Sequence, residues 1–300
     1  MAKKRDVIIG VIIVASFLVA FAFFGLMLAG LFSAGNGIDI AGFGGDVGVI
    51  EMFGVISETT SRPVIKQIDK WASSGSIKAI VLHINSPGGG VAASQEIYDA
   101  ILRAREKKPV VAAMASVAAS GGYYVACAAD RIIANPGTLT GSIGVILQFH
   151  TFELLMQKVG VATETVKSGE LKDVGNYSRE MTEEEELMLR GVVMDTYEQF
   201  VEAVAEGRSK TKEEIYPLAD GSIFTGLQAF NLGLVDTLGG LHEAVALAGN
   251  LAGIDGEPTV VRPIERKDIN IWDVLGGLAQ KLDKTVEEQV FGPQLLYLYK

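Results

Sequence analysis

Three short segments place glycine, hydroxyl and lysine side chains where the chain turns, which is what acyl transfer requires. In Asn85–Gly90 (NSPGGG), consecutive glycines let backbone N–H groups face a ligand unobstructed. Such a turn can hold an oxyanion, which needs donors aimed at a developing negative oxygen; glycines serving turn geometry alone are the other reading. In Ala118–Tyr124 (AASGGYY), small residues flank Ser120 and leave its hydroxyl approachable near a helix start, where the dipole and free N–H groups favour negative charge. A plain helix cap is the competing role for that serine. Lys167–Asp173 (KSGELKD) offers two lysines. A lysine can deprotonate a serine once burial and neighbours lower its pKa; a solvated surface charge is the alternative for each.

Other chemistries find less support. His83, His150 and His242 are scattered, without metal-ligand spacing or a triad context, and no G-x-S-x-G elbow occurs. Glu183–Glu186 follows Thr182 as a capping box and reads as first-turn helix charge rather than a metal site. The single cysteine, Cys127, excludes an internal disulfide; within YYVACAA it reads as a buried, inert thiol. No metal and no cofactor are implied.

The elements that must position these residues alternate along the chain. Strands are expected over Val47–Ile56, Pro109–Met114 and Arg131–Ala134, and over Ala79–Ile84, whose nearly continuous apolar run marks a strand covered on both faces. Helices are expected over Ser61–Ser73, from Ala92 to Arg105, and over Ala118–Ala129 with its start at or near Ser120. This repetition predicts an α/β core with mainly parallel strands. A longer helix opens at Thr182 and carries Leu189, Val193, Tyr197, Phe200 and Val204 at helical spacing. Residues 268–290 read as an amphipathic helix weakened by Gly276 and Gly277. The apolar tail Leu295–Tyr299 admits a packing strand, an oligomer contact or a disordered end.

Ahead of this body, Lys3, Lys4 and Arg5 precede an apolar stretch, residues 7–32. That stretch exceeds the ~20 residues a membrane-spanning helix needs and the roughly 7–15 of a cleaved signal peptide. The expected organisation is a cytoplasmic stub (1–6), a transmembrane helix (7–32), a glycine-rich linker (33–46), a catalytic domain (47–255) and a C-terminal extension of unread role (256–300). The positive-inside rule puts the N-terminus in the cytoplasm and the body outside it, on a single-pass cell-membrane protein anchored in lipid by residues 7–32. The net charge is −10 and the first six residues are net basic, so the body is more acidic still. That argues against a nucleic-acid partner.

Several long strings in order make the pattern specific: INSPGGG (84–90), ASGGYYVACAAD (119–130), TLTGSIGVI (138–146), ETVKSGELKD (164–173), REMTEEE (179–185) and DGSIFTGLQAFNLGLVDTLGG (220–240). With these, the chain from about Val47 to Gly249 resembles the signal peptide peptidase A family in its short, single-copy form. The resemblance implies a crotonase/ClpP-like fold and a serine endopeptidase with a Ser-Lys dyad. By motif, the nucleophile falls on Ser120 and the general base on Lys172 rather than Lys167. Ser142 matches the serine that orients the lysine, and Gly88 and Gly89 match the oxyanion turn. The implied substrates are remnant signal peptides or other hydrophobic peptides in the membrane. The implied assembly is a ring-shaped homo-oligomer in which one protomer supplies part of its neighbour's site. Three alternatives remain: a related membrane Ser-Lys protease with one specific membrane-protein substrate, a non-proteolytic crotonase-fold enzyme acting on acyl-CoA, and a non-catalytic scaffold.

Overall fold

A strict two-residue alternation of apolar side chains dictates how the central strands are covered. The computed structural model describes residues 46–263 and 295–298. The transmembrane helix expected over 7–32, nearly all of its linker, and the amphipathic helix over 268–290 lie outside the described residues. Among the described residues no helix is long and apolar enough to cross a membrane.

In chain order the elements are β1 (Val47–Phe53), α1 (Glu58–Ala72), β2 (Ala79–Ser86), β3 (Gly88–Gly90), α2 (Val91–Arg105), β4 (Val110–Ala119), α3 (Gly121–Cys127), β5 (Arg131–Ala134), β6 (Leu139–Gly141), β7 (Ile146–Leu147) and α4 (Glu153–Val159). A 3-10 turn (Glu170–Asp173) follows, then α5 (Glu183–Arg208), α6 (Lys212–Ile215), β8 (Ile223–Thr225), α7 (Gly226–Asn231), β9 (Thr237–Leu238), α8 (Leu241–Leu251), β10 (Val260–Val261) and β11 (Leu295–Leu298). The main sheet runs β10-β1-β2-β4-β5-β9 with every neighbouring pair parallel. The α/β core with mainly parallel strands is thus as expected, and the supposed extension begins with an edge strand of that sheet.

Side chains alternate between two cores, as the period of a strand requires. Val47, Val49, Ala79, Val81, Val111, Ala113 and Ile133 meet Ala244, Val245 and Ala248 of α8 on one face. Their sequence neighbours Ile50, Met52, Ile80, Leu82, Ile84, Ala112, Met114 and Ile132 point the other way, into a larger core with α1, α2, α3 and α5. The central strand β2 is covered on both sides, which accounts for its unbroken apolar sequence. Two capping boxes fix helix starts. Ser57 opens α1, three residues ahead of the expected start, and Thr182 opens α5, accepting from the Glu185 amide at 3.2 Å while Glu185 Oε2 accepts from the Thr182 amide at 2.9 Å.

Two expectations are corrected, both beside the glycine segments. The helix expected from Ala118 starts at Gly121, because Val117–Ala119 continue β4 and pair in parallel with Leu139–Gly141 of β6. Pairing with a neighbouring strand overrides the helix preference of alanine. The turn expected over Asn85–Gly90 is shorter: β2 runs to Ser86, and Gly88–Gly90 form β3 in a second sheet ordered β3-β11-β7. Residues 295–298 of the apolar tail form a strand, antiparallel to β3 with Leu296 opposite Gly90, Tyr297 opposite Gly89 and Leu298 opposite Gly88.

Candidate active site

Ser120 stands at the junction of β4 and α3 with φ 53° and ψ −119°. A β-carbon residue in that region costs about 1–3 kcal/mol and persists only where its surroundings impose it. The surroundings do so at both ends: the Ser120 amide donates to Gly141 O at 2.9 Å, and its carbonyl accepts from the Tyr124 amide at 2.8 Å. The side chain makes no capping bond to α3, so the helix-cap role is excluded. Ser120 is 1% exposed, and its Oγ is buried without a hydrogen-bond partner. An unpaired buried hydroxyl costs a further ~1–3 kcal/mol. A strained backbone and an unsatisfied hydroxyl at one serine serve no packing purpose, and point to a function.

The glycines of both motifs are explained by close approach. A β-carbon on Gly122 would lie 2.9 Å from Ser86 O, so the first turn of α3 rests directly on the end of β2. One on Gly89 would lie 2.0 Å from Ile56 O. Gly88 has φ 103°, a conformation that favours glycine. The Gly88 carbonyl accepts from the Ile56 amide at 2.9 Å, and the Gly90 amide donates to Ile56 O at 2.8 Å. The Gly88 N–H donates to Ser86 Oγ at 3.1 Å. Ser86 had drawn no attention in the sequence; a serine two residues before a glycine is the local signal for such a turn.

Ser142 is the mirror of Ser120 on the next strand. Ala119 of β4 pairs with Gly141 of β6, and each serine is the first residue beyond that pair. Ser142 has φ 50°, is 8% exposed, and donates its amide to Ser222 O at 2.7 Å. Ser120, Ser142 and the Gly88–Gly89 strand are thus gathered at the C-terminal ends of parallel strands, where α/β sheets place their ligands.

The lysines stand apart from this group. Lys172, on the 3-10 turn, is exposed, and its ammonium makes no hydrogen bond or ion pair with a described residue. One chain by itself therefore does not join Lys172 to Ser120. Lys167 is committed elsewhere: its Nζ lies 3.0 Å from Asp173 Oδ1 and donates to Glu170 O at 2.8 Å. The bonds to Asp173 and Glu170 push its pKa above the ordinary lysine value and hold it charged. Of the two lysines, Lys167 is the one with ion-pair partners among the described residues.

No histidine bonds Ser120. His83 faces Phe53 edge-on at 5.2 Å, and burial lowers its pKa and favours the neutral ring. Cys127 is fully buried, and burial pushes its thiol up to about 12, which suits an inert core residue. Beside Ser142 lies a cleft of about 610 Å³, lined also by Val145, Ile146, Val193, Met194 and Tyr197 among others. It flanks β7, whose Ile146 and Leu147 pair with Leu296 and Leu295 of β11.

Comparison with known proteins gives the chain its family. The model of peptidase family S49 matches residues 103–255, half of the chain, including Ser120, Ser142 and Lys172. The Clp protease model matches residues 39–138, which include Gly88, Gly89 and Ser120 and carry the ClpP-like character of the α/β fold. The candidate protease slr0021 of Synechocystis sp. is 42% identical over 231 residues, covering 77% of this chain and 83% of that protein. The candidate signal peptide peptidase SppA of Enterococcus faecium is 38% identical over 60% of this chain and 53% of its own. Protease 4 of Salmonella typhi is 36% identical over 83% of this chain and 42% of its own, so the chain spans only about half of these last two. Among solved structures, a ClpP1 point mutant from Listeria monocytogenes aligns with TM-score 0.46 and 20% identity, over 65% of this chain and 93% of that one.

Proposed function

The chain belongs to peptidase family S49 and is a serine protease of the signal peptide peptidase A type, and from that premise we propose a membrane-anchored endopeptidase with Ser120 as nucleophile and Lys172 as general base. The observation that carries the reading is the Ser120 hydroxyl, buried and unpartnered on a strained backbone between β4 and α3. Lys172, neutral in the assembled site, takes the Ser120 proton as Oγ attacks a peptide carbonyl. The tetrahedral oxyanion accepts from the Gly88 and Gly89 amides, displacing the Ser86 hydroxyl from Gly88. Lys172 returns the proton to the leaving amine. Water then gives a proton to Lys172 as its oxygen attacks the acyl carbon, and Lys172 passes that proton to Ser120 Oγ as the acyl–Oγ bond breaks and the acid leaves, while Ser142 orients the lysine.

An exposed lysine in water is protonated at neutral pH, so a base needs a surface that dries it. A second copy of the chain supplies that surface in this reading, with Lys172 of one protomer serving Ser120 of the next in a ring. Uncovered apolar side chains around the lysine turn support it: Leu154 is 72% exposed, Val159 64% and Val166 102%, and α4 buries nothing. Single chains rarely leave such a patch to water. The transmembrane helix over 7–32 would hold the ring at the extracytoplasmic face of the cell membrane. The substrates would be remnant signal peptides and similar apolar segments, for which the cleft beside Ser142 offers a largely apolar wall.

The placement of β11 supports binding of an extended peptide, since a segment of this chain already lies antiparallel to β3 and β7. Strand addition supplies main-chain hydrogen bonds, and adjoining clefts select side chains. The full chain in detergent is expected to hydrolyse casein or an apolar peptide ester. A chain ending at residue 293 is expected to do so with a lower KM and unchanged kcat, because the substrate no longer competes with β11. Steady-state kinetics on both proteins decide: an unchanged KM would show that substrate binds elsewhere.

A further inference from the structure

Between Ile143 and Glu185 no side chain is buried, and the first to reach the interior is a carboxylate: Glu185 is 1% exposed. Apolar packing of the segment that carries Lys172 is limited to half-buried side chains, such as the Phe149 ring against Gly175. Charge-assisted hydrogen bonds hold it. Arg179 Nη1 donates to Glu185 Oε2 at 2.8 Å, while its Nη2 and Nε donate to Asp173 Oδ1 and Oδ2 at 2.9 and 3.3 Å. Asp173 also receives Lys167 Nζ at 3.0 Å and Asn176 Nδ2 at 3.3 Å. Glu185 is itself fixed by the α5 capping box through the Thr182 amide. A rigid path of contacts thus runs from the N-terminus of α5 to the residue next to Lys172.

We infer that Asp173, Arg179 and Glu185 form a positioning clasp for the general base, with Arg179 as the member that joins turn to body. The inference rests on Lys172 being that base. Arg179 holds both Asp173 oxygens through Nε and Nη2 while Nη1 reaches Glu185, a planar fork that the point charge of a lysine ammonium does not reproduce. The clasp does two things. It fixes the 3-10 turn with Lys172 as its one uncommitted cation. It also satisfies both oxygens of the Asp173 carboxylate, which leaves that side chain no free acceptor to draw the adjacent lysine aside. Lys167, Glu170 and Glu180 are the other ionisable residues that contact the clasp among the described residues. Arg179 touches no reacting atom in this account.

The test uses the full chain in detergent, with Lys172→Ala measured alongside. Arg179→Met is expected to lower kcat by about tenfold or more, since small misplacements of a catalytic group are costly. KM and assembled mass should stay at wild-type values, melting temperature should fall because the buried Glu185 carboxylate loses its cation, and added methylguanidinium should recover part of kcat. Asp173→Asn, which keeps the side-chain volume, should lower kcat in the same way and decides the matter should Arg179→Met not fold. Wild-type kcat in Arg179→Met beside an inactive Lys172→Ala would overturn the clasp and leave the dyad standing. So would a loss of kcat that comes with loss of assembly and resists methylguanidinium, since that marks a fold staple. An active Lys172→Ala would remove the base itself, and the clasp with it.

Discussion

Replacing Ser120 with alanine is expected to reduce hydrolysis of a peptide ester by roughly three orders of magnitude or more, the scale on which a covalent nucleophile is lost. The same substitution should not destabilise the protein. The hydroxyl that it removes is buried without a partner, so its loss relieves a desolvation cost rather than a bond. Ser120→Gly should go further and raise stability by about 1 kcal/mol, because glycine takes φ 53° without strain. Loss of rate with stability kept or gained is the signature of a residue held for chemistry. Initial rates and thermal melts on the three proteins measure both, and a Ser120→Ala protein with wild-type kcat/KM would remove the nucleophile from the account.

The second large effect concerns Lys172. Its substitution by alanine is expected to abolish activity as fully as loss of Ser120, because the two act as a unit and their losses do not add. The more telling experiment mixes the inactive proteins. In one chain the Lys172 ammonium meets no described partner and the Ser120 hydroxyl is alone. If the base comes from a neighbouring copy, Ser120→Ala and Lys172→Ala chains assembled together will contain some sites with an intact serine beside an intact lysine. Activity should then reappear, up to about a quarter of wild type for random pairing of equal amounts. Separate, unmixed assemblies should stay inactive. No recovery in a verified mixed assembly would mean that both groups act within one chain.

Much of the fold was legible because it depends on short-range pattern. The apolar run at Ala79–Ile84 could only be a strand covered twice, and Thr182 with Glu185 could only open a helix; both are so. What was not legible depended on distant partners. Whether Ala118–Ala119 were helix or strand was decided by β6, some twenty residues on in sequence, and by the Thr140 hydroxyl donating to Ala118 O at 2.7 Å. The glycines at 88–90 read as a turn because their partner strand lies at the far end of the chain. At the site, Ser120 and Ser142 were found by motif, while their positive φ values and register one residue beyond a shared strand pair are visible only in three dimensions. Arg179 lay inside a recognised string without a role. Nothing local could show that its carboxylate partner, Glu185, is the first buried side chain after Ile143.

The central claim, that Ser120 attacks substrate, is tested most directly by trapping the acyl-enzyme. The full chain would be mixed with a slowly hydrolysed apolar ester, quenched in acid and mapped by peptide mass. The account predicts one acyl group, carried on the peptide containing Ser120 and absent from Ser120→Ala. An acyl group on any other residue, or turnover with no covalent intermediate under conditions that accumulate one, would contradict it.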